Sequence, residues 1–321
     1  MMTFNKLPAW QSSLDRRFHR LPIVIATALV CTSLQANPTI DFNGSNQWKD
    51  YLDDGTHLEH ISVNDESSEI NKKNWTIKVG EDGKGTLFFG PVNNNKPLEV
   101  NGSLIQAYGT NNELGISIDG NLTIDNAHSN GIYSGFILGR YNKEPNFGSH
   151  YWYEGKGYFN ITGDLSIKNS TSDEYGIYLY SPNEYTNKDS SINFGNIHIE
   201  DTKVREKLFC IYDTPSFSSK NITIKGQPTN LENNKSFTTS ASVLLDVRAD
   251  GDINTGDINI DNVYVKDNTG SEIGDIIFLT SSNGKIKTGY INVSNSVGSG
   301  DVVILAGKSV KASDINVKTI I

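Results

Sequence analysis

GDINIDN (Gly256–Asn262) is one copy of a phrase that the chain keeps rewriting. It returns as GNLTIDN from Gly120, GDLSIKN from Gly163, GNIHIED from Gly195, GYINVSN from Gly289 and SDINVKT from Ser313. The common form is G-x-Φ-x-Φ, with Φ apolar. The Φ pairs are Leu122/Ile124, Leu165/Ile167, Ile197/Ile199, Ile222/Ile224, Ile258/Ile260, Ile291/Val293 and Ile315/Val317. Period two puts each pair on one face of a strand and turns the intervening Thr, Ser, His or Asn outward. The β-branched bias favours strand over helix.

Each phrase closes on a turn former: Asn126, Asn169, Asp201, Gly226, Asn262 or Asn295. Asn and Gly tolerate left-handed backbone that other residues avoid. A second, densely apolar strand follows, as in GIYSGFIL (131–138), GIYLY (176–180), LFCIY (208–212), VLLDV (243–247), IIFL (276–279) and VVIL (302–305). Such runs suit strands buried on one face and partly covered on the other. A third short strand, marked by Ile192, Phe217, Ile253, Ile286 or Val310, leads into the next phrase. In the first two phrases Ile118 and Ile161 take this role one residue closer to the anchor.

Three strands per repeat describe a coil. The first Φ residues are separated by 43, 32, 25, 36, 33 and 24 residues. The short spacings approach the roughly 20–29 residues common in solenoid repeats. The long ones predict loops inserted at one corner of the coil. The expected fold is a parallel β-helix, with seven coils rising roughly 30 Å. A β-sandwich ranks second, because it has no need to repeat the phrase.

The first 36 residues read differently. Lys6, Arg16, Arg17 and Arg20 precede the apolar run Leu21–Leu34, and Ala36 supplies a small residue before a cleavage point. This is the layout of a secretory signal peptide. The run is shorter than the roughly 20 residues of a membrane span. No second long apolar run occurs. Cleavage after Ala36 takes four basic residues and one acid from the chain's 28 and 37, leaving a formal charge of −12. That balance disfavours nucleic acid and anionic lipid as partners. Only Cys210 remains beyond Ala36, so an internal disulfide is excluded, and its place in LFCIY predicts a buried apolar role.

The basic leader, the scarcity of cysteine, the Asn/Gly-rich repeats and the G-D-I-N-I phrase resemble the passenger region of a bacterial autotransporter, over about residues 75–321. The resemblance implies a right-handed, single-stranded parallel β-helix, displayed at or released from the outer-membrane surface. Scarce cysteine suits a passenger that crosses a narrow pore unfolded. No carboxy-terminal barrel strands follow the repeats, which end mid-phrase at SDINVKTII; the expectation is an amino-terminal piece of a longer polypeptide or a truncated reading frame. The domain reading is a signal peptide at 1–36, an entry cap at 37–74 and the β-helix at 75–321.

Chemical motifs are thin. There is no G-x-S-x-G, and GSGD (298–301) lacks the order of a serine-protease passenger. Asp164, Asp257 and Asp314 stand beside the bend and read as turn residues. Arg205, with Asp201, Lys203 and Lys207, reads as a corner loop. His57 and His60 lack a third ligand, and Asp250/Asp252/Asn254 lacks the Gly and Glu of a calcium loop, having Thr255 and Asp261 in their places. GEDGKGT (80–86) lacks the G-K-[ST] ending of a phosphate loop and reads as a hairpin turn. The Asn-x-Thr triplets at Asn121 and Asn221 read as by-products of the repeat.

One insertion is aromatic: YNKEPNFGSHYWYEGKGY (141–158). Its Tyr151, Trp152 and Tyr153 are the candidate contacts for a host surface protein or glycan, or else they seal one side of the helix. The expected function is non-enzymatic: an exported β-helix presenting loops for adhesion or host contact, with no catalytic, cofactor or metal residues. The alternatives are a polysaccharide-active lyase or hydrolase, with three or more charged side chains converging on adjacent coils, and a truncated passenger without activity.

Overall fold

The computed structural model describes residues 39–43, 49–53, 55–65, 72–91, 96–109, 113–141, 157–180, 191–205, 207–226, 243–265, 274–298 and 300–320. All lie in the unit Asn37–Ile321, one of two into which the chain divides at Ala36.

The chain visits three sheets in turn. Face one contains, in order, Thr39–Asn43, His60–Asp65, Leu98–Gly109, Ala127–Tyr141, Tyr175–Tyr180, Phe209–Thr214, Val243–Ala249, Asp275–Ser281 and Val303–Ala306. Face two takes the strand that follows each of these, from Lys49–Leu52 to Ser309–Lys311. Face three takes the next, from His57–Leu58 to Asp314–Ile320. Pairing is parallel on all three faces. The protein is an all-β parallel β-helix.

The aliphatic pairs climb in register on face three. Leu122, Leu165, Ile197, Ile222, Ile258, Ile291 and Ile315 form one column. Ile124, Ile167, Ile199, Ile224, Ile260, Val293 and Val317 form the other. Face three also extends upstream of the phrases through Thr86–Phe89 and His57–Leu58. The 37–74 segment thus supplies the end strand of every sheet. The interior is not purely aliphatic. Phe209 from face one meets Phe217 and Phe194 from face two, with ring centroids 6.1 and 6.3 Å apart, and Phe159 packs on Phe194 at 6.1 Å.

The corner from face two to face three is the tightest. Backbone N–H of Gly163, Gly195, Lys220, Gly256, Gly289 and Ser313 each donates to the carbonyl of Gly120, Gly163, Gly195, Lys220, Gly256 and Gly289 in the coil before, at 2.9–3.1 Å. The next residue adds a side-chain ladder. Asn121 Oδ1 accepts from Asp164 N (2.8 Å), Asp164 Oδ1 from Asn196 N (2.9 Å), Asn196 Oδ1 from Asn221 N (3.2 Å), Asn221 Oδ1 from Asp257 N (2.9 Å), and Asp257 Oδ1 from Tyr290 N (2.9 Å). Asn196 and Asn221 separate the carboxylates of Asp164 and Asp257, so like charges are not stacked directly. The glycines are needed for close approach. A Cβ on Gly195 would lie 2.0 Å from the Gly163 carbonyl oxygen, and one on Gly289 would lie 2.1 Å from Asp257 Oδ1.

The corner from face three to face one uses left-handed backbone. Asn126, Asn169, Asp201, Asn262 and Asn295 have φ between 47° and 55°. Where Ser or Thr follows, its buried hydroxyl turns back, as Ser170 donates to Lys168 O (2.6 Å) and Ser296 to Ser294 O (2.7 Å).

Insertions occupy two corners rather than the single one the spacing suggested. Residues 142–156 and 181–190 join face one to face two, whereas 227–242 and 266–273 join face three to face one. Both corners border face one. The corner between faces two and three stays at one to three residues from Gly120 onward, where its ladders run through consecutive coils, and takes six only upstream, between Val79 and Thr86. GEDGKGT is part of that corner, not a hairpin: it links parallel strands of two faces, with Gly80 and Gly83 at φ 74° and 68°.

Three substitutions probe this corner. Gly195→Ala is expected to cost about 2 kcal/mol by forcing a carbonyl aside. Lys220→Ala, at the same place in its coil, is expected to stay within about 0.5 kcal/mol. Urea midpoints followed by circular dichroism compare them, and equal midpoints contradict the close-approach argument. Asn221→Asp stacks a carboxylate on Asp257 and raises the folded-state carboxyl pKa. Its penalty is therefore absent below the unfolded value near 4 and appears as pH rises above it. A variant whose stability relative to wild type is flat from pH 3 to about 7 refutes the stacking.

Candidate functional site

Face one differs from its neighbours on its outer surface. Outward side chains of face two include Asn160, Asn193 and Ser218, and those of face three include Thr123, Ser166, His198, Thr223 and Asn259. On face one a single outward column reads Gln106, Leu138, Tyr178, Cys210, Asp246, Phe278, Ile304. Leu138, Cys210 and Asp246 are 3%, 0% and 1% exposed although they point away from the core. The sheet is thus buried on both sides where these residues lie.

A charged and aromatic cluster forms around this column. Asp246 accepts from Arg248 Nε at Oδ1 (2.9 Å), and from Arg248 Nη2 (2.9 Å) and the Tyr212 hydroxyl (2.7 Å) at Oδ2. Lys207 Nζ donates to the same Tyr212 hydroxyl. The Lys207 ammonium and the Arg248 guanidinium each lie 4.7 Å from the centre of the Tyr212 ring, and Arg248 also lies 4.9 Å from that of Phe278. Tyr178 meets Tyr212 edge-on at 5.9 Å and packs against Tyr175 at 4.9 Å. The arrangement joins three successive coils by cation–π contacts and charge-assisted hydrogen bonds.

The electrostatics are those of a closed cluster. Burial pushes the Cys210 thiol up to about 12, the nearby Lys207 opposing only in part. Burial also raises the Tyr212 hydroxyl, with Cys210 and Asp246 adding to the shift. For Arg248 burial works against the charge, but the hydrogen bonds and charge of Asp246 more than offset it. Burial raises the Asp275 carboxyl, against the hydrogen bond it accepts from Asp301 N at 2.7 Å. Cys210 is therefore a protonated thiol at neutral pH, not a thiolate nucleophile.

The residues singled out by sequence fall elsewhere. Tyr151, Trp152 and Tyr153 lie outside the described residues. Asp164 and Asp257 belong to the corner ladder, as do Asn121 and Asn221 of the Asn-x-Thr triplets. Asp314 bonds the N–H of Ile315 beside it (2.9 Å). His57 stacks on Phe88 at 5.1 Å, while His60 bonds the Ser103 carbonyl at 2.6 Å, so the two rings serve different partners. Asp250 Oδ1 accepts from Asn283 Nδ2 (2.7 Å) and Asp252 Oδ1 from Lys285 N (2.8 Å), both tying one coil to the next. No metal-binding group of His, Cys, Asp or Glu occurs among the described residues. Of the corner residues around Arg205, Lys207 reaches the Tyr212 cluster, and Lys203 is exposed.

The cluster itself was missed by sequence reading. Its signal was a charge inside an apolar run, Asp246 in VLLDV, with Arg248 two residues on. Comparison with known protein families, sequences and structures gave no match.

Cys210 is expected to resist thiol reagents at pH 8 in the folded chain and to react once the chain is unfolded in denaturant. Its folded pKa lies above the ordinary value of 9.0, so its contribution to stability is complete below pH 9.0 and is lost as pH rises toward about 12. Rapid labelling of Cys210 itself in the folded protein at pH 8, located by peptide mapping because the chain also carries Cys31, contradicts this burial.

Proposed function

We propose that the chain is an exported β-helical passenger, cell-surface or secreted, that presents loops on a stiff rod for adhesion or contact with a host surface protein or glycan. The observation that carries this reading is the asymmetry of the coil. One corner is fixed by ladders from Gly120 onward, whereas the long insertions attach at the two corners bordering face one. Face one is also the face with outward Tyr178, Tyr212 and Phe278. A rigid scaffold carrying variable loops on one side suits recognition. The leader-like first 36 residues and the resemblance to autotransporter passengers support export. Among the described residues no helix is long and apolar enough to cross a membrane.

The polysaccharide-active alternative draws on the same cluster, since Lys207, Asp246 and Arg248 do converge on adjacent coils. The chemistry disfavours it there. A general acid or base must reach its substrate. Asp246 is 1% exposed and accepts three hydrogen bonds from Arg248 and Tyr212. Its role is to hold the coils together.

Replacing Tyr151, Trp152 and Tyr153 together by Ser is expected to reduce binding of the secreted chain to intact host cells about tenfold or more, with the circular-dichroism spectrum unchanged. Unchanged binding, or recovery of the chain from the cytoplasm with residues 1–36 still attached, sinks the reading.

A further inference from the structure

Charges that fall in register on neighbouring coils are opposite in sign almost throughout. Asp125, Lys168, Glu200, Lys225 and Asp261 alternate along the outer side of face three. Lys78 meets Asp119 on face two. The corner ladder keeps Asp164 and Asp257 apart with asparagines. Lys287 and Lys311 on face two break this rule. They stand directly in register, like charge on like charge, on strands about 4.8 Å apart. Lys285 points the same way from two residues earlier, about 7 Å off along the strand. Lys285 and Lys287 are exposed. Among the described residues none of the three lysines has an acidic partner in an ion pair.

A second rule is broken beside them. The residue that follows the corner glycine or its substitute is Asn121, Asp164, Asn196, Asn221, Asp257 or Asp314, except in one coil, where it is Tyr290. Tyr290 N donates to Asp257 Oδ1 (2.9 Å) as its counterparts do, but its side chain has no Oδ1 to offer the coil after. The side-chain ladder stops there. The Tyr290 side is instead 52% exposed, three residues along the chain from Lys287. The position thus gives up a bond between coils and leaves an aromatic ring in water. Both departures fall on one coil, that of residues 285–290, which has a coil on either side.

We propose that Lys285, Lys287, Lys311 and Tyr290 form a binding site for a sulfated polysaccharide. Sulfates bound by the ammonium groups supply the missing counter-charge and relieve the repulsion between Lys287 and Lys311. The Tyr290 ring offers an apolar face to a sugar ring beside them. The set has no arginine fork, the group that best matches a planar carboxylate in two parallel hydrogen bonds. One aromatic ring does not make the stacking platform that single-stranded nucleic acid uses. The whole chain has a formal charge of −9, but charges farther than roughly 8 Å are largely screened at physiological salt. Asp252 and Asp257 of the coil before each commit Oδ1 to a backbone N–H of this coil, Lys285 N (2.8 Å) and Tyr290 N (2.9 Å). The site goes beyond the loop reading, since it lies along face two and the laddered corner, away from the long insertions.

Titration of the full chain with heparin at about 0.15 M salt tests this. Wild type is expected to bind, with an affinity that falls as salt rises. Lys285→Gln and Lys287→Gln together are expected to weaken binding about tenfold. Tyr290→Asn is expected to weaken it about fivefold. Because asparagine is a residue the ladder uses elsewhere, the urea midpoint of Tyr290→Asn is expected at or above that of wild type. The chain with Tyr151, Trp152 and Tyr153 replaced by Ser is expected to bind heparin like wild type, which separates this site from the aromatic loop. No binding by wild type, equal binding of heparin stripped of its sulfates, or equal binding of single-stranded DNA each overturn the proposal. So do lysine or Tyr290→Asn variants that bind like wild type, a lower midpoint for Tyr290→Asn, and loss of heparin binding in the loop variant.

Discussion

A parallel coil makes almost no backbone hydrogen bonds within itself, so every coil depends on its neighbours for them. That single requirement organises the molecule. A buried backbone N–H or C=O without a partner costs about as much as a lost hydrogen bond. The strands meet the requirement through their ladders, but the corners have no ladder by default. Here the corner between faces two and three meets it twice. The backbone of each coil bonds the coil before, and an Asn or Asp side chain bonds the N–H of the coil after. Glycine recurs there because the bonded neighbour fills the space a Cβ would take.

The other consequence is that variation is confined. A coil that must align three strands and one corner with its neighbours lengthens mainly elsewhere. The long insertions accordingly leave the chain on the two remaining corners, on either side of face one, while the laddered corner stays at one to three residues from Gly120 onward. That face is also where outward side chains stop being small and polar. Asp246, Arg248, Lys207 and Tyr212 consume one another's charge and hydrogen-bonding capacity there. A buried carboxylate is tolerated because its lone pairs are met, and removing one partner would strand the other. The cluster binds neighbouring coils together across the outer surface, as the phenylalanines do inside.

Most of the fold was legible because the repeat writes the same physical problem several times. The Φ pairs at Leu122/Ile124 through Ile315/Val317 gave the column, and Asn126, Asn169, Asp201, Asn262 and Asn295 gave the left-handed bends. The extension of all three sheets upstream to Thr39 was less legible, because those strands lack the phrase. The ladder role of Asp164 and Asp257 was only half legible. Their place beside the bend was plain, but the reason carboxylates are tolerated there depends on which residue sits one coil away. The Tyr212 cluster was not legible. Lys207, Tyr212, Asp246 and Arg248 span more than 40 positions, and nothing local says that they share one surface.

The sequence by itself determined the period of the strands, the inward side of each and the residues at its bends, since all three follow from local sterics and alternation. Only the tertiary structure decided which residues stack, which corner the ladders keep short and where the charges of face one are spent. Those depend on register between coils, and insertions of unequal length hide that register along the chain while hydrogen bonding restores it in space.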